Sequence, residues 1–233
     1  MRIINKKFIL SVVSICCLSL SATFAQDYKY EIGGGLGTAF YMGDANKSTP
    51  FKNMNIAGEA IFRYNRSFRW AYKGNLVVGG VSGDTKNSGN KFPYNMNTSF
   101  SRTFVELGGQ VEYNFFNYSD KYAFLGTKRF SPYMLAGVGL TMGTGDKTFF
   151  GLNIPLGVGI KYKWKERINL GFEFSVRKLF GDDFDDTGSD GLSLNDPYKI
   201  KSSFIKNKDW YCLTMFTITW DFGLRTQDCI NLD

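Results

Sequence analysis

The stretch Phe149–Asp186, FFGLNIPLGVGIKYKWKERINLGFEFSVRKLFGDDFDD, decides the fold. Leu152, Ile154, Leu156, Val158, Ile160 and Tyr162 alternate with Asn153, Gly157, Gly159 and Lys161. This is the period-two pattern of a strand with one apolar face. After a break at Trp164 to Arg167 the alternation resumes, with Ile168, Leu170, Phe172, Phe174 and Val176 set against Asn169, Gly171, Glu173, Ser175 and Arg177. These strands are long, end in aromatics and are tightly linked, and their second face carries charge. A soluble sandwich is the structural alternative, but a membrane barrel fits better, because lipid takes the apolar face and a polar lumen takes the charges.

Working outward, the same alternation recurs in Tyr28 to Gly43, Met54 to Asn65, Trp70 to Ser82, Phe100 to Phe116, Ser131 to Gly143 and Trp210 to Phe222. With the central pair this predicts an all-β fold, an eight-stranded antiparallel transmembrane β-barrel of outer-membrane type with a packed polar lumen, spanning residues 26–222. Short turns (Arg66 to Phe68, Trp164 to Arg167) alternate with long loops (Gly83 to Ser99, Gly181 to Lys208). By the rule of short periplasmic turns and long extracellular loops, both ends of the mature chain fall in the periplasm. An eight-stranded barrel leaves room for side chains only, so no pore is expected.

The first 25 residues read as a cleavable export signal. Arg2, Lys6 and Lys7 precede the apolar run Phe8 to Leu20, and Thr23-Phe24-Ala25 forms a small-residue cleavage site. Neither Cys16 nor Cys17 follows a small residue, which argues against a lipoprotein. No later run approaches the roughly 18 to 20 apolar residues of a spanning helix. Aromatics at 17% and 26 glycines suit a barrel with interfacial girdles and a crowded lumen. Three of the bases behind the formal net charge of +7 lie in the leader, and no nucleic-acid partner is implied.

Histidine is absent. That removes the usual acid–base catalyst and triad partner, so no catalytic residue is assigned and small-barrel lipid deacylases or proteases are disfavoured. The glycines of Gly33 to Gly37 contain G-x-G, but no helix follows to make a phosphate site. With apolar faces outward, Glu31, Glu59, Arg63, Lys73, Glu106, Glu112, Lys161, Glu173 and Arg177 point into the lumen. They are read either as a salt-bridged plug or as a proton or ion path.

Asp182, Asp183, Asp185 and Asp186 crowd one loop. Calcium is the minor reading there, since the spacing is not an EF-hand, and a solvated loop balanced by Lys199, Lys201, Lys206 and Lys208 is the preferred one. No metal site or cofactor is assigned. Cys212 and Cys229 are the mature cysteines, and about ten strand residues separate the first from the strand end, too far for an internal bridge. Cys229, in the tail Gly223 to Asp233, is read either as the donor of an intermolecular disulfide with a periplasmic partner or as an idle surface thiol.

YEIGGGLGTAFYMGDAN (Tyr30 to Asn46), IFRYNRSFRWAYKGNLVVGGVSGD (Ile61 to Asp84), FVELGGQVEYNFF (Phe104 to Phe116), FSPYMLAGVGL (Phe130 to Leu140), the central stretch from Ile154, and KDWYCLTMFTITWDF (Lys208 to Phe222) together resemble the PorG family. PorG is the small outer-membrane barrel of the type IX secretion system of Bacteroidota. The resemblance implies a non-enzymatic protein of the outer membrane. It also implies association of the periplasmic side with a ring of the lipoprotein PorK and its partner PorN. The competing expectation is a free-standing barrel, an adhesin or envelope stabiliser acting through its extracellular loops.

Overall fold

In the computed structural model, the residues described are 28–42, 51, 53–84, 99–121, 123–144, 148–180 and 210–224. The leader, the aspartate-rich segment from Asp182 to Asp186 and Cys229 lie outside them. Eight strands follow in chain order: β1 Tyr28–Met42, β2 Asn55–Asn65, β3 Trp70–Asp84, β4 Ser99–Asn114, β5 Phe130–Thr144, β6 Phe149–Lys165, β7 Ile168–Leu179 and β8 Trp210–Leu224. Each pairs antiparallel with the next, and β1 pairs with β8, so the sheet closes into a barrel with no free edge.

Alternation sorts the side chains as the sequence pattern requires. On β6 the even positions Phe150, Leu152, Leu156, Val158, Ile160, Tyr162 and Trp164 are exposed, while Asn153, Lys161 and Lys163 are buried. A one-residue irregularity in the β6–β7 register between Lys163 and Lys165 precedes the turn. The same division holds round the barrel, with Leu36, Ile56, Leu76, Leu107, Val138, Phe216 and Ile218 outside. Water would penalise such a surface by roughly 25 cal/mol per Å² of apolar area, whereas hydrocarbon does not.

One end of the barrel carries the short turns, and there the outer wall is belted by rings. Tyr30 packs on Phe222 and Tyr64 at 5.6 and 5.5 Å, Tyr64 on Tyr72 at 6.2 Å, and Trp70 on Tyr113 at 4.9 Å. Such a belt marks a membrane–water interface. Near the other end, Phe40 stands on the outward face but is buried. The Phe51 ring covers it at 4.9 Å and also reaches Phe174 of β7 at 6.2 Å.

The seam between β1 and β8 depends on glycine. A Cβ on Gly37 would stand 1.9 Å from the Thr214 carbonyl oxygen, and one on Gly33 would stand 2.1 Å from that of Ile218. Backbone atoms cannot yield to such overlaps without parting the strands. At Gly109 of β4, by contrast, an added methyl would have nothing within 4 Å. Gly37→Val should therefore cost roughly 3 kcal/mol or more and deplete the compact, heat-modifiable band on gels. Gly109→Ala should leave that band unchanged, and an intact band for Gly37→Val would remove the seam argument.

Candidate functional site: the charged lumen and its cap

Inward-facing positions supply a matched set of charges. Glu31, Glu59, Glu106, Glu112, Glu173 and Asp221 are buried alongside Arg63, Lys73, Arg102, Lys161, Lys163 and Arg177. The nine lumen residues singled out from the sequence all lie inside. Lys163, Asp221 and Arg102 complete the set. Lys163 and Arg102 share the strand parity of residues already assigned inward (Lys161, Glu106), and Asp221 has the parity opposite to the apolar Phe216, Ile218 and Trp220, which is the signal that would have found them.

Each acid is held by named partners. Arg63 donates to Glu31 and, through Nε, stands 2.8 Å from Glu112 Oε2. Lys161 Nζ also pairs with Glu112. Lys73 Nζ lies 2.7 Å from Glu173 Oε2 and 3.3 Å from Glu59 Oε1, so one ammonium serves two carboxylates. Arg177 Nε is 3.2 Å from Glu106 Oε2, and the Tyr211 hydroxyl donates to the same oxygen. Lys163 Nζ donates to Asp221 Oδ2 at 2.6 Å, and Asn169 Nδ2 donates to Asp221 Oδ1 at 2.6 Å.

The ion pairs continue from Lys163–Asp221 at the turn end to Arg177–Glu106, which lies with Tyr211, Thr141 and Asn153 towards the loops. There these polar groups are packed among Ala57, Val77, Phe104, Phe149, Leu179, Leu213 and Met215, and the Tyr211 ring stands 4.9 Å from Phe104. Arg102 is one inward position beyond Phe104 on β4. Paired charges set among buried apolar side chains are what a plug requires, and an ion moving through them would have to displace partners already in place.

Residues 115–121 and 123–129, in the link between β4 and β5, cap the turn end. Tyr118 is buried and its hydroxyl donates to Asn169 Oδ1 of β7 at 2.8 Å. Burial, reinforced by the carboxylates of Glu31 and Asp221, pushes its phenol above the ordinary tyrosine value, so it stays a donor. The Lys128 amide donates to Asn117 O at 2.8 Å and the Ser119 amide to Lys128 O at 3.2 Å, fastening the cap to itself. Beneath it lies a cavity of about 10 Å³ lined by Glu31, Asn65, Asn114, Tyr118, Lys163 and Asp221, room for about one water molecule. From the sequence this link was legible only as longer than a minimal turn, because one tyrosine reaching into a lumen leaves no periodic trace.

Glu112 is the junction of the network. Removing it takes from Lys161 the carboxylate it pairs with and leaves it beside Arg63, so Glu112→Leu should destabilise the barrel by about 3 to 5 kcal/mol in urea unfolding from lipid vesicles. The double variant Glu112→Leu/Lys161→Met leaves Arg63 with Glu31 and should recover much of that loss. Additive losses would contradict the pairing.

No curated protein matches the chain. Solved structures similar to it include Neisserial surface protein A, at 12% identity over 83% of this chain and 97% of that one with a TM-score of 0.48. Another is Ail, the attachment invasion locus protein of Yersinia pestis, in complex with the heparin analogue sucrose octasulfate, at 7% identity over 84% and 99% with a TM-score of 0.46. The family model described as Domain of unknown function (DUF6089) matches residues 6–231, and the chain belongs to that family.

Proposed function

We propose that the protein is a non-enzymatic outer-membrane component of the type IX secretion machinery, with its turn end in the periplasm and associated with a PorK/PorN ring. The observation that carries the reading is the run of six stretches, from Tyr30 to Phe222, that resemble PorG. The interior supports it indirectly. A lumen filled with matched charges and closed by Tyr118 offers no substrate cleft among the described residues, which leaves the outer surfaces to do the work. The apolar wall, aromatic belt and export-type leader support residence in the outer membrane.

A second reading, an adhesin or envelope stabiliser, rests on the long loops at Gly83 to Ser99 and Gly181 to Lys208. Deletion separates the two. In the secretion reading, loss of the protein leaves cargo with C-terminal signals unexported, whereas an adhesin leaves export intact. Crosslinking in intact cells from a probe on Cys229, compared with Cys229→Ser, should capture a periplasmic ring lipoprotein. Unimpaired export together with no captured partner would overturn the secretion role and return the loops to first place.

A further inference from the structure

Beyond the aromatic belt, every turn carries bases. Lys29 opens β1, Arg66 and Arg69 occupy the β2–β3 turn, Lys128 and Arg129 end the β4–β5 link, and Lys165 closes β6. Acids among the described residues of this rim are Asp120, whose side chain is only 5% exposed and lies 3.7 Å from Arg129, and Glu166. The rim is therefore strongly basic, although the lumen above it is charge-matched.

The direction of these side chains discriminates between partners. Lys165 Nζ stands 5.2 Å from the Trp164 ring, Lys29 Nζ 5.5 Å from Tyr64, and Lys128 Nζ 4.2 Å from Phe116. Arg69 Nη1 donates to the Tyr113 hydroxyl at 3.1 Å. Each rests on an aromatic of the outer wall or its edge, at the depth where the belt meets water. A protein docking below the mouth would be met by bases gathered on one side or aimed along the barrel axis. Here the four just named are spread round the circumference and laid against the wall, where headgroups stand, while Lys121 and Arg167 lie over the Tyr28 ring at the mouth, 5.1 and 5.0 Å from it.

We propose that the turn-end rim is a binding annulus for anionic glycerophospholipid of the leaflet it faces, recognised through its phosphate and net negative charge. The proposal rests on the outer-membrane reading above and not on the secretion role. Tyrosine and tryptophan hold the acyl–headgroup boundary in place, and the bases then lie level with the phosphates. Each base near an anionic surface strengthens attraction roughly fivefold, so several acting together select charged over zwitterionic lipid.

The test uses the full mature chain reconstituted in phosphatidylcholine vesicles that contain a minor fraction of phosphatidylglycerol. The protein is then extracted in mild detergent and the retained lipid quantified by mass spectrometry. The expected result is retained phosphatidylglycerol enriched about fivefold or more over the vesicle composition, lost in high salt. In Lys29→Gln/Arg66→Gln/Lys165→Gln the retained lipid should fall back to bulk composition. Arg69 is kept in that variant because it bonds Tyr113 and Asn117, and heat-modifiable migration verifies folding. Arg66→Lys, which keeps the charge, should retain the enrichment.

Bulk composition for the wild type, or enrichment that survives in the folded triple variant, would overturn the proposal. So would binding of poly-glutamate without lipid enrichment, which would assign the rim to an acidic protein. Preference for lipid A over phosphatidylglycerol would assign it to the other leaflet and overturn it as well. Failure to insert into vesicles at all would overturn the membrane reading along with it.

Discussion

Arg63, Lys73 and Arg177 are almost fully buried inside the barrel, and it stands only because each meets carboxylates there. An eight-stranded closure fixes a lumen about as wide as its own side chains. Whatever points inward must pack, and whatever is charged must be matched. Among the described residues six acids and six bases, all named above, share that space, and a single unmatched member would cost several kcal/mol. The outer wall imposes the converse demand, since an apolar band needs a solvent that does not penalise it. Both demands are met by one alternation of residues, repeated eight times.

That alternation is why so much of the fold was legible. Phe149 to Arg177 alone discloses two strands, their apolar face and three of the lumen charges. Parity on a strand is a local property, so the sequence carries it directly. Partner choice is not local. Nothing in the spacing says that Lys73 would serve both Glu59 and Glu173, or that Arg177 would meet Glu106 across the lumen, because those contacts depend on the stagger of closure. Lys163 and Asp221 were within reach of the same parity rule. Tyr118 was not, for it enters the lumen from an irregular link. Phe40 shows the opposite case: its parity is outward, yet Phe51, beyond the strand end, shields it.

Ion pairs and apolar side chains interleave over the depth of the lumen and leave it closely packed. Rigid interiors transmit little and pass nothing, so the chemistry available to partners lies at the two ends and along the wall. At the turn end the cap is fastened by Tyr118, and a rim of bases surrounds it. The glycine seam between β1 and β8 keeps the wall closed at the place where the first and last strands meet. Interior, seam and rim thus divide the work of holding shape, sealing the circle and meeting the surroundings.

Planar-bilayer recording of the purified mature chain tests the central claim, that this is a sealed barrel stabilised from within by matched charge. A sealed lumen gives no steady unitary conductance at moderate voltage, with or without loosening of the cap by Tyr118→Ala, because the ion pairs and the apolar cluster still block the path. Reproducible unitary steps from the wild type would contradict it and make the charged lumen a conduction pathway.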